Sequence, residues 1–297
     1  KKSASASPLR WTRSWPDVRR RPAIEVKSPV QIKAMRAAGL VVASILATVR
    51  EAAKPGVTTA DLDGLAREHI AAAGAISSFL GYGSSFGMPA YPAVTCISVN
   101  DEIVHGIPGD HVLVSGDLVS VDFAVSVNGW HADSAVTFGV GEVTAERAAL
   151  SEVTRAAMWD GITAARVGGR IGDVSHAVET SVRNRRAGYG VVAEYTGHGI
   201  GRAMHEAPDV PNVGRAGRGE LITKGVCLAI EPMVTLGSAA TANLDDEWTV
   251  VTRDGSVAAH WEHTVAVLPE GLWVLTAEDG GESELTARGA RFAPLAD

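Results

Sequence analysis

Five residues scattered along the chain have the right chemistry to hold metal ions: Asp122, Asp133, His198, Glu231 and Glu262. The two aspartates lie in DLVSVDFAVSVNGWHADSAVTF, where Asn128-Gly129 separates two alternating apolar runs, the strongest short-range signal for a β-hairpin. A two-residue turn there pairs Val127 with Trp130 and Asp122 with Ala135, so Asp133 points the same way as Asp122. Their backbones are then roughly 7–8 Å apart, as diagonal cross-strand neighbours. Two like charges on a half-buried sheet need a cation between them; the alternative is that one Asp turns to solvent or pairs with an arginine.

His198 stands between Gly197 and Gly199, which leaves room for a metal or a substrate to approach. Taken alone, a histidine between glycines is more often a turn residue. Glu231 ends a run in which Cys227, Ala229 and Glu231 share one strand face before Pro232 ends the pairing. Its plainer reading is an ion pair with Arg202 or Lys224, and Glu262, inside AAHWEHTVAV, has the same two readings. As a set, four carboxylates and one imidazole on apolar strands suit two divalent first-row ions, Mn, Fe(II), Co or Zn, and neither cysteine stands among them. Two such ions about 3.5–4 Å apart activate a water between them and polarise a carbonyl, which is hydrolytic chemistry.

The elements that must position these residues come in two similar series. Ser28-Pro29-Val30-Gln31 reads as an N-cap with a capping box, and Ile32, Met35, Gly39, Val42, Leu46 and Val49 follow at helical spacing until Lys54-Pro55-Gly56. A second helix runs from Thr58/Thr59 to Gly74, then come a glycine-rich loop, a strand over 93–99 and His105-Gly106-Ile107. The order then repeats: helices from Thr144 and Asp173, a strand over 191–195, His198-Gly199-Ile200. After each His-Gly-Ile comes an apolar run ending in a carboxylate, GDLVSVD at Asp122 and GVCLAIE at Glu231. Helix, helix, strand, His-Gly-Ile, strand, carboxylate, twice over, predicts two halves about a pseudo-twofold axis forming one α+β domain over 28–297, with the site at their junction. A hairpin over 248–267 turning near Asp254-Gly255 completes it.

In combination these motifs resemble the type I methionine aminopeptidases, M24-type metallopeptidases of the pita-bread fold, over roughly residues 27 to 277. The resemblance implies two halves around a curved antiparallel sheet and removal of the initiator Met from nascent polypeptides, with two divalent ions (Co, Mn, Fe(II) or Zn). It implies that Asp122 chelates one ion, His198 and Glu231 the other, and that Asp133 and Glu262 bridge. Glu231 is similar to the family's general base, His105 to the histidine on the scissile nitrogen, and His205 to the one that polarises the carbonyl. Tyr91, Cys96, Met204 and Trp248 would line the methionine pocket. For Trp248 to share a face with Glu262, the turn must be a three-residue Arg253-Asp254-Gly255 loop pairing Thr252 with Ser256, which we expect. The stretch GYGSSFGMPAYPAV is longer and richer in Gly and Pro than the family's loop, and Met204 stands where an aromatic is common. His105 and His205 otherwise read as a turn histidine and as a partner of Glu206.

Composition narrows the alternatives. Of the chain's 297 residues 46% are hydrophobic, ample for a core. The longest apolar stretches, such as GLVVASILATV, are too short and too flanked by charge to span a bilayer. Residues 1–27 carry eight Lys/Arg against Asp17 and Glu25, leaving 19 basic against 32 acidic residues, net −13, for the remainder. That body does not suit sequence-specific nucleic-acid binding. The basic arm reads as a solvated tail, with contact to a polyanion such as ribosomal RNA as the alternative. Cys96 and Cys227 sit in apolar runs, which points to reduced thiols in a reducing compartment, as in the cytoplasm, over a disulfide between them; nascent peptide N-termini as partner are what the resemblance implies, and a monomer is expected. The rivals are an X-Pro aminopeptidase or prolidase, expected to carry a further N-terminal domain, and a non-catalytic pita-bread protein binding the ribosome or RNA, expected to have lost ligands.

Overall fold

The computed structural model describes residues 23–186 and 188–296, apart from the side chain of Phe86. Most of the basic arm, residues 1–22, and with it both the expected solvated tail and the alternative ribosome contact, lies outside the described residues.

Helix α1 (Pro29–Ala52) begins as its sequence predicts: Ser28 Oγ accepts from Gln31 N and Gln31 Oε1 from Ser28 N, closing the capping box. The expected apolar stripe from Ile32 to Val49 is its buried face. Helix α2 (Thr59–Ala72) opens with the same device, Thr58 and Asp61. The first half continues with β1 (Ile76–Ser77), β2 (Cys96–Val99), β3 (Glu102–Val104) and the predicted hairpin, β4 (Leu118–Val127) and β5 (Trp130–Gly139). Val127 opposes Trp130 and Asp122 opposes Ala135, with Asn128 and Gly129 at φ 52° and 75°, the positive values a type I′ turn requires. Strand β2 is shorter than the run over 93–99 because Val94 and Thr95 donate their N–H groups to the Asp63 carboxylate of α2, both at 2.9 Å, instead of to a strand.

The second half supplies α3 (Ala145–Ala164), α4 (Ile171–Arg185), β6 (Gly190–Val191), β7 (Thr196–Gly199), β8 (Glu206–Pro211), β9 (Cys227–Ile230) and β10 (Met233–Thr235). The strand expected over 191–195 is divided. Residues 190–191 pair with β10, and the chain joins the main sheet only from Thr196. Then follow β11 (Thr241–Asn243), β12 (Val250–Thr252), β13 (Ala258–His260), β14 (Glu262–Leu268), β15 (Gly271–Val274) and α5 (Glu282–Ala287).

Among the described residues one sheet holds the central path β4-β5-β14-β9-β7, with β2 on the free edge of β4. The run β2-β4-β5 meets its counterpart β7-β9-β14 at the β5–β14 seam, so strand order reads alike from either end, as the repeated motif order predicts. Helices back each half. Val119, Val121, Phe123 and Val125, alternating with Asp122 along β4, share an apolar cluster with Val42, Leu46, Val49 and Leu62 of α1 and α2. Leu228 and Ile230 of β9 and Val265 and Val267 of β14 share another with Met158, Ile162, Val174 and Val178 of α3 and α4. The opposite face of the sheet is left for the carboxylates.

Three expectations need correction. The hairpin over 248–267 does not form: β12 pairs with β11 and β3, whereas β13 pairs with β10. Thr252 and Ser256 do meet, the Thr252 hydroxyl donating to the Ser256 carbonyl at 2.7 Å. Asp254, however, accepts from Ser238 N and Ser256 N, fixing a turn that hands the chain from one small sheet to another. The tail does not run to residue 27 either. Lys27 is 3% exposed, its ammonium lies 2.6 Å from Glu206, and its backbone N–H donates to Gly225 O. Finally, α1 is long and apolar enough, by length and composition, to cross a membrane; here its apolar stripe is covered by the sheet.

Gly39 marks where α1 comes closest to the chain after β15, since a Cβ there would lie 2.0 Å from the Leu275 carbonyl oxygen. Backbone on both sides leaves nothing flexible to yield. Gly39→Ala is expected to lower stability by about 1–3 kcal/mol in spite of its better helix propensity, read as the urea midpoint at unchanged m-value; an unchanged or raised midpoint contradicts the packing described.

Candidate metal centre

Strand register brings the five candidates together. Asp122 opposes Ala135, and Ala135 opposes Glu262; continuing the β14–β9 pairing of His263 with Ile230 sets Glu231 against Glu262. One row across the sheet therefore reads Asp122, Ala135, Glu262, Glu231. The next reads Asp133, Thr264, Ala229, His198, with Thr264 opposing Ala229 and Ala229 opposing His198. All five point from one face, and the small residues between them leave the space that the acids and imidazole enclose. The β5–β14 seam is only two residue pairs long. Beyond it Thr264 Oγ1 accepts from Asp133 N (3.1 Å) and donates to Asp133 O (2.8 Å), satisfying backbone groups that a continued ladder would have paired.

Gly197 and Gly199 serve a different end from the one expected. Their missing Cβ atoms do not open the site: a Cβ on Gly197 would sit 2.3 Å from Ala229 O, and one on Gly199 2.2 Å from Ala207 O. Alternation along β7 turns both away from the side on which His198 projects, and they permit close strand packing behind it. His198 Nδ1 lies 2.9 Å from Gly199 O; as donor there it turns the Nε2 lone pair, 3.5 Å from Glu231 Oε1, toward the acids, the tautomer a metal ligand needs.

Asp133, His198 and Glu262, each at most 4% exposed, offer ligand atoms within 4.8 Å of one another. Asp122 Oδ1, Asp133 Oδ1 and Glu262 Oε1 are buried without a hydrogen-bond partner, a costly arrangement unless a cation completes it. The polar neighbours described for Glu231 are the imidazoles of His198 and His260, at 3.5 and 3.6 Å; Arg202 instead stacks over Trp130 at 4.3 Å. Four carboxylates with one imidazole nitrogen and, among the described residues, no arginine ion-paired to them fit divalent first-row ions.

Burial first, and then mutual repulsion, drives these acids up. Glu231 and Glu262 stand well above the usual carboxylate range, with Asp133 the leading charged neighbour of each. Asp122 is raised by burial, by Asp133 and by Glu231; burial lifts Asp133 to about 7. Burial has the reverse effect on the imidazoles of His105, His260 and His263, pushed down to about 4, 3 and 4.

These shifts fix the sign of a pH dependence. A carboxylate raised in the folded state contributes stability below its unfolded value and loses it as pH rises through the folded value; a histidine pushed down does the opposite below about 6.5. The two sets offset one another between about pH 4 and 6.5. Above that only the carboxylates still titrate, so the metal-free protein is expected to lose stability from about pH 6.5 to 8, on the order of a few kcal/mol. Metal-loaded protein, its ligands already deprotonated, should not. Melting temperatures with and without chelator across that range check this; parallel curves contradict it.

The remaining candidates gather at the same place. His105, Tyr91, Cys96, Met204, His205 and Trp248 all line one cleft of about 530 Å³ together with the four acids and the His198 imidazole. His105 has φ 60° and stands edge-on to Tyr195 and Trp248. Tyr91 and Trp248 meet edge to face at 5.2 Å, Trp248 Nε1 donating to Pro89 O and the Tyr91 hydroxyl meeting Gly106 O. Trp248 thus reaches the site on β12's small sheet and not through a hairpin. Glu206, the alternative partner for His205, is held by Lys27, and the His205 ring lies 4.1 Å from that of His198. Two residues escaped sequence reasoning. Tyr82, in the glycine-rich loop, contacts His205. His260 is 1% exposed, with Nε2 3.6 Å from Glu231 Oε2, and its two-residue spacing from Glu262 was the signal available.

A helix-backed sheet of two matched halves with an acid-rich, imidazole-bearing cluster at their seam is the arrangement of a metallopeptidase. Residues 33–269 match the model of Metallopeptidase family M24, and the chain belongs to that family, with its pita-bread fold and use of divalent metal. Among named relatives it is 50% identical over 264 residues to Methionine aminopeptidase 1 of Mycobacterium tuberculosis, covering 87% of this chain and 97% of that one. A crystal structure of methionine aminopeptidase from Thermotoga maritima superposes with a TM-score of 0.82 at 40% identity, covering 86% of this chain and all of that one. A prolidase from Pyrococcus furiosus, TM-score 0.67 over 85% of this chain and 65% of its own, is 18% identical and shares the fold.

Proposed function

We propose that this chain removes N-terminal methionine from newly made polypeptides in the cytoplasm, as a dinuclear metallo-aminopeptidase. The observation that carries the reading is the meeting of three unpartnered buried carboxylate oxygens with His198 at the floor of an aromatic-lined cleft. Asp122, Asp133, His198, Glu231 and Glu262 would hold two ions, Mn, Fe(II), Co or Zn, Asp122 serving one, His198 with Glu231 the other, and Asp133 and Glu262 both. Bound ions of this kind lower the pKa of water and polarise a carbonyl.

The chain's own residues do the rest. The walls of Tyr91, Cys96, Met204 and Trp248 exclude water and take an unbranched apolar side chain, which suits methionine. His105, kept neutral by burial, hydrogen-bonds the scissile nitrogen. His205 donates to the carbonyl oxygen as negative charge develops there, an interaction worth more in the transition state than before it. Glu231 takes a proton from the attacking water and passes it to the leaving amine.

Protein stripped of metal and reconstituted with each of the four ions, given Met-Ala-Ser and Ala-Pro peptides, tests this through release of free Met. Cleavage of Met-Ala-Ser alone is expected. Cleavage of Ala-Pro alone assigns the X-Pro peptidase reading. Cleavage of neither, with RNA binding that falls steeply with salt, assigns the non-catalytic one.

A further inference from the structure

We propose that Tyr82 is a positioning residue: its hydroxyl donates to His205 Nδ1 and thereby fixes the imidazole as the tautomer whose Nε2–H faces the substrate carbonyl. The inference deepens the reading of His205 given above and rests on it.

His205 is exposed, so burial does not hold its ring. Its backbone is tied on one side: Glu206 accepts from Lys27 Nζ at 2.6 Å and from Ala203 N at 3.0 Å, which steadies the turn that carries it. Neither that tie nor the contact of its ring with His198 at 4.1 Å sets which ring nitrogen carries the proton. The Tyr82 hydroxyl lies 2.6 Å from His205 Nδ1, a short hydrogen bond, with the two rings 5.3 Å apart. A neutral imidazole has one donor and one acceptor nitrogen. A phenol donating to Nδ1 makes Nε2 the donor, which is the state that can stabilise a developing oxyanion; the other tautomer would present a lone pair to it.

Tyr82 is itself rigidly held. Tyr91 N donates to Tyr82 O and Gly81 N to Tyr91 O, both at 2.8 Å, a clamp that needs Gly81 at φ 82°. The unusual glycine-rich loop therefore delivers a hydroxyl to the rim of the metal centre by backbone geometry, at a position where phenylalanine would preserve shape and lose only the donor.

The test uses enzyme loaded with diamagnetic Zn(II), with wild type, Tyr82→Phe and His205→Ala compared by nitrogen-15 NMR of the imidazoles and by steady-state kinetics; signals absent from His205→Ala assign those of His205. Wild type is expected to show a protonated Nε2 and a bare Nδ1. In Tyr82→Phe the two tautomers should mix and kcat fall about tenfold with KM within about twofold, less than the roughly 10²-fold a 1 Å misplacement can cost. A protonated Nδ1 in wild type, or an unchanged kcat in Tyr82→Phe, overturns the proposal. Failure of the wild-type enzyme to release Met, with the expected tautomer present, would count against the functional reading and not against this hydrogen bond.

Discussion

Asp133→Asn should cost the protein its metal and, with it, nearly all peptide cleavage. Asp133 is the charge that raises both Glu231 and Glu262, and it offers a ligand atom within 4.8 Å of those of His198 and Glu262. Asparagine keeps its volume but removes a ligand charge at the centre of the cluster. Even outer partners of a metal ligand are worth about 10–100-fold in affinity, so affinity should fall by about 10²-fold or more, with activity following it. The metal-free form should move the other way. With one fewer buried acid to ionise, the loss of stability between about pH 6.5 and 8 should be shallower than in wild type. Calorimetric titration with Mn(II) and melting curves with chelator read the two effects separately. A variant that binds metal normally, or whose metal-free form is less stable than wild type at pH 8, contradicts the central place given to Asp133.

His205→Ala should leave the ions in place and remove catalysis. Its ring touches that of His198, but the candidate donor atoms come from Asp122, Asp133, His198 and Glu262 on strands and Glu231 just after β9, and His205 sits on the turn before β8. Loss of one donor to a developing oxyanion costs about 10²–10³-fold in kcat. Metal content by elemental analysis should match wild type, and KM for Met-Ala-Ser should change little. Equal loss of metal and activity would make His205 a ligand or a structural residue instead.

The parts of this fold that local chemistry dictates were legible in the sequence. Ser28 and Gln31 cap α1 as read, and Asn128-Gly129 sets the register that aligns Asp122 with Asp133. Alternation then fixes which side chains share a face, so the metal candidates followed from one hairpin and a repeated motif. What was missed depends on long-range pairing. The segments 250–252 and 258–260 look like a hairpin in sequence, yet each finds a better partner elsewhere, Val104 for Val250 and Met233 for His260. Gly197 and Gly199 read as space around a ligand, because the Ala229 and Ala207 carbonyls that need their missing Cβ atoms lie on other strands. Lys27 counted as one more charge in a basic arm; only the fold brings Glu206 to it. Tyr82 was invisible for the same reason, its partner being 123 residues away.

The account stands on two ions shared by acids from both halves of the molecule, and anomalous diffraction from crystals soaked in Mn(II) addresses that directly. It predicts two peaks about 3.5–4 Å apart within bonding distance of Asp122, Asp133, His198, Glu231 and Glu262, with Asp133 and Glu262 touching both. Mn(II) found only elsewhere, or no peak at the β5–β14 seam at saturating metal, would contradict it.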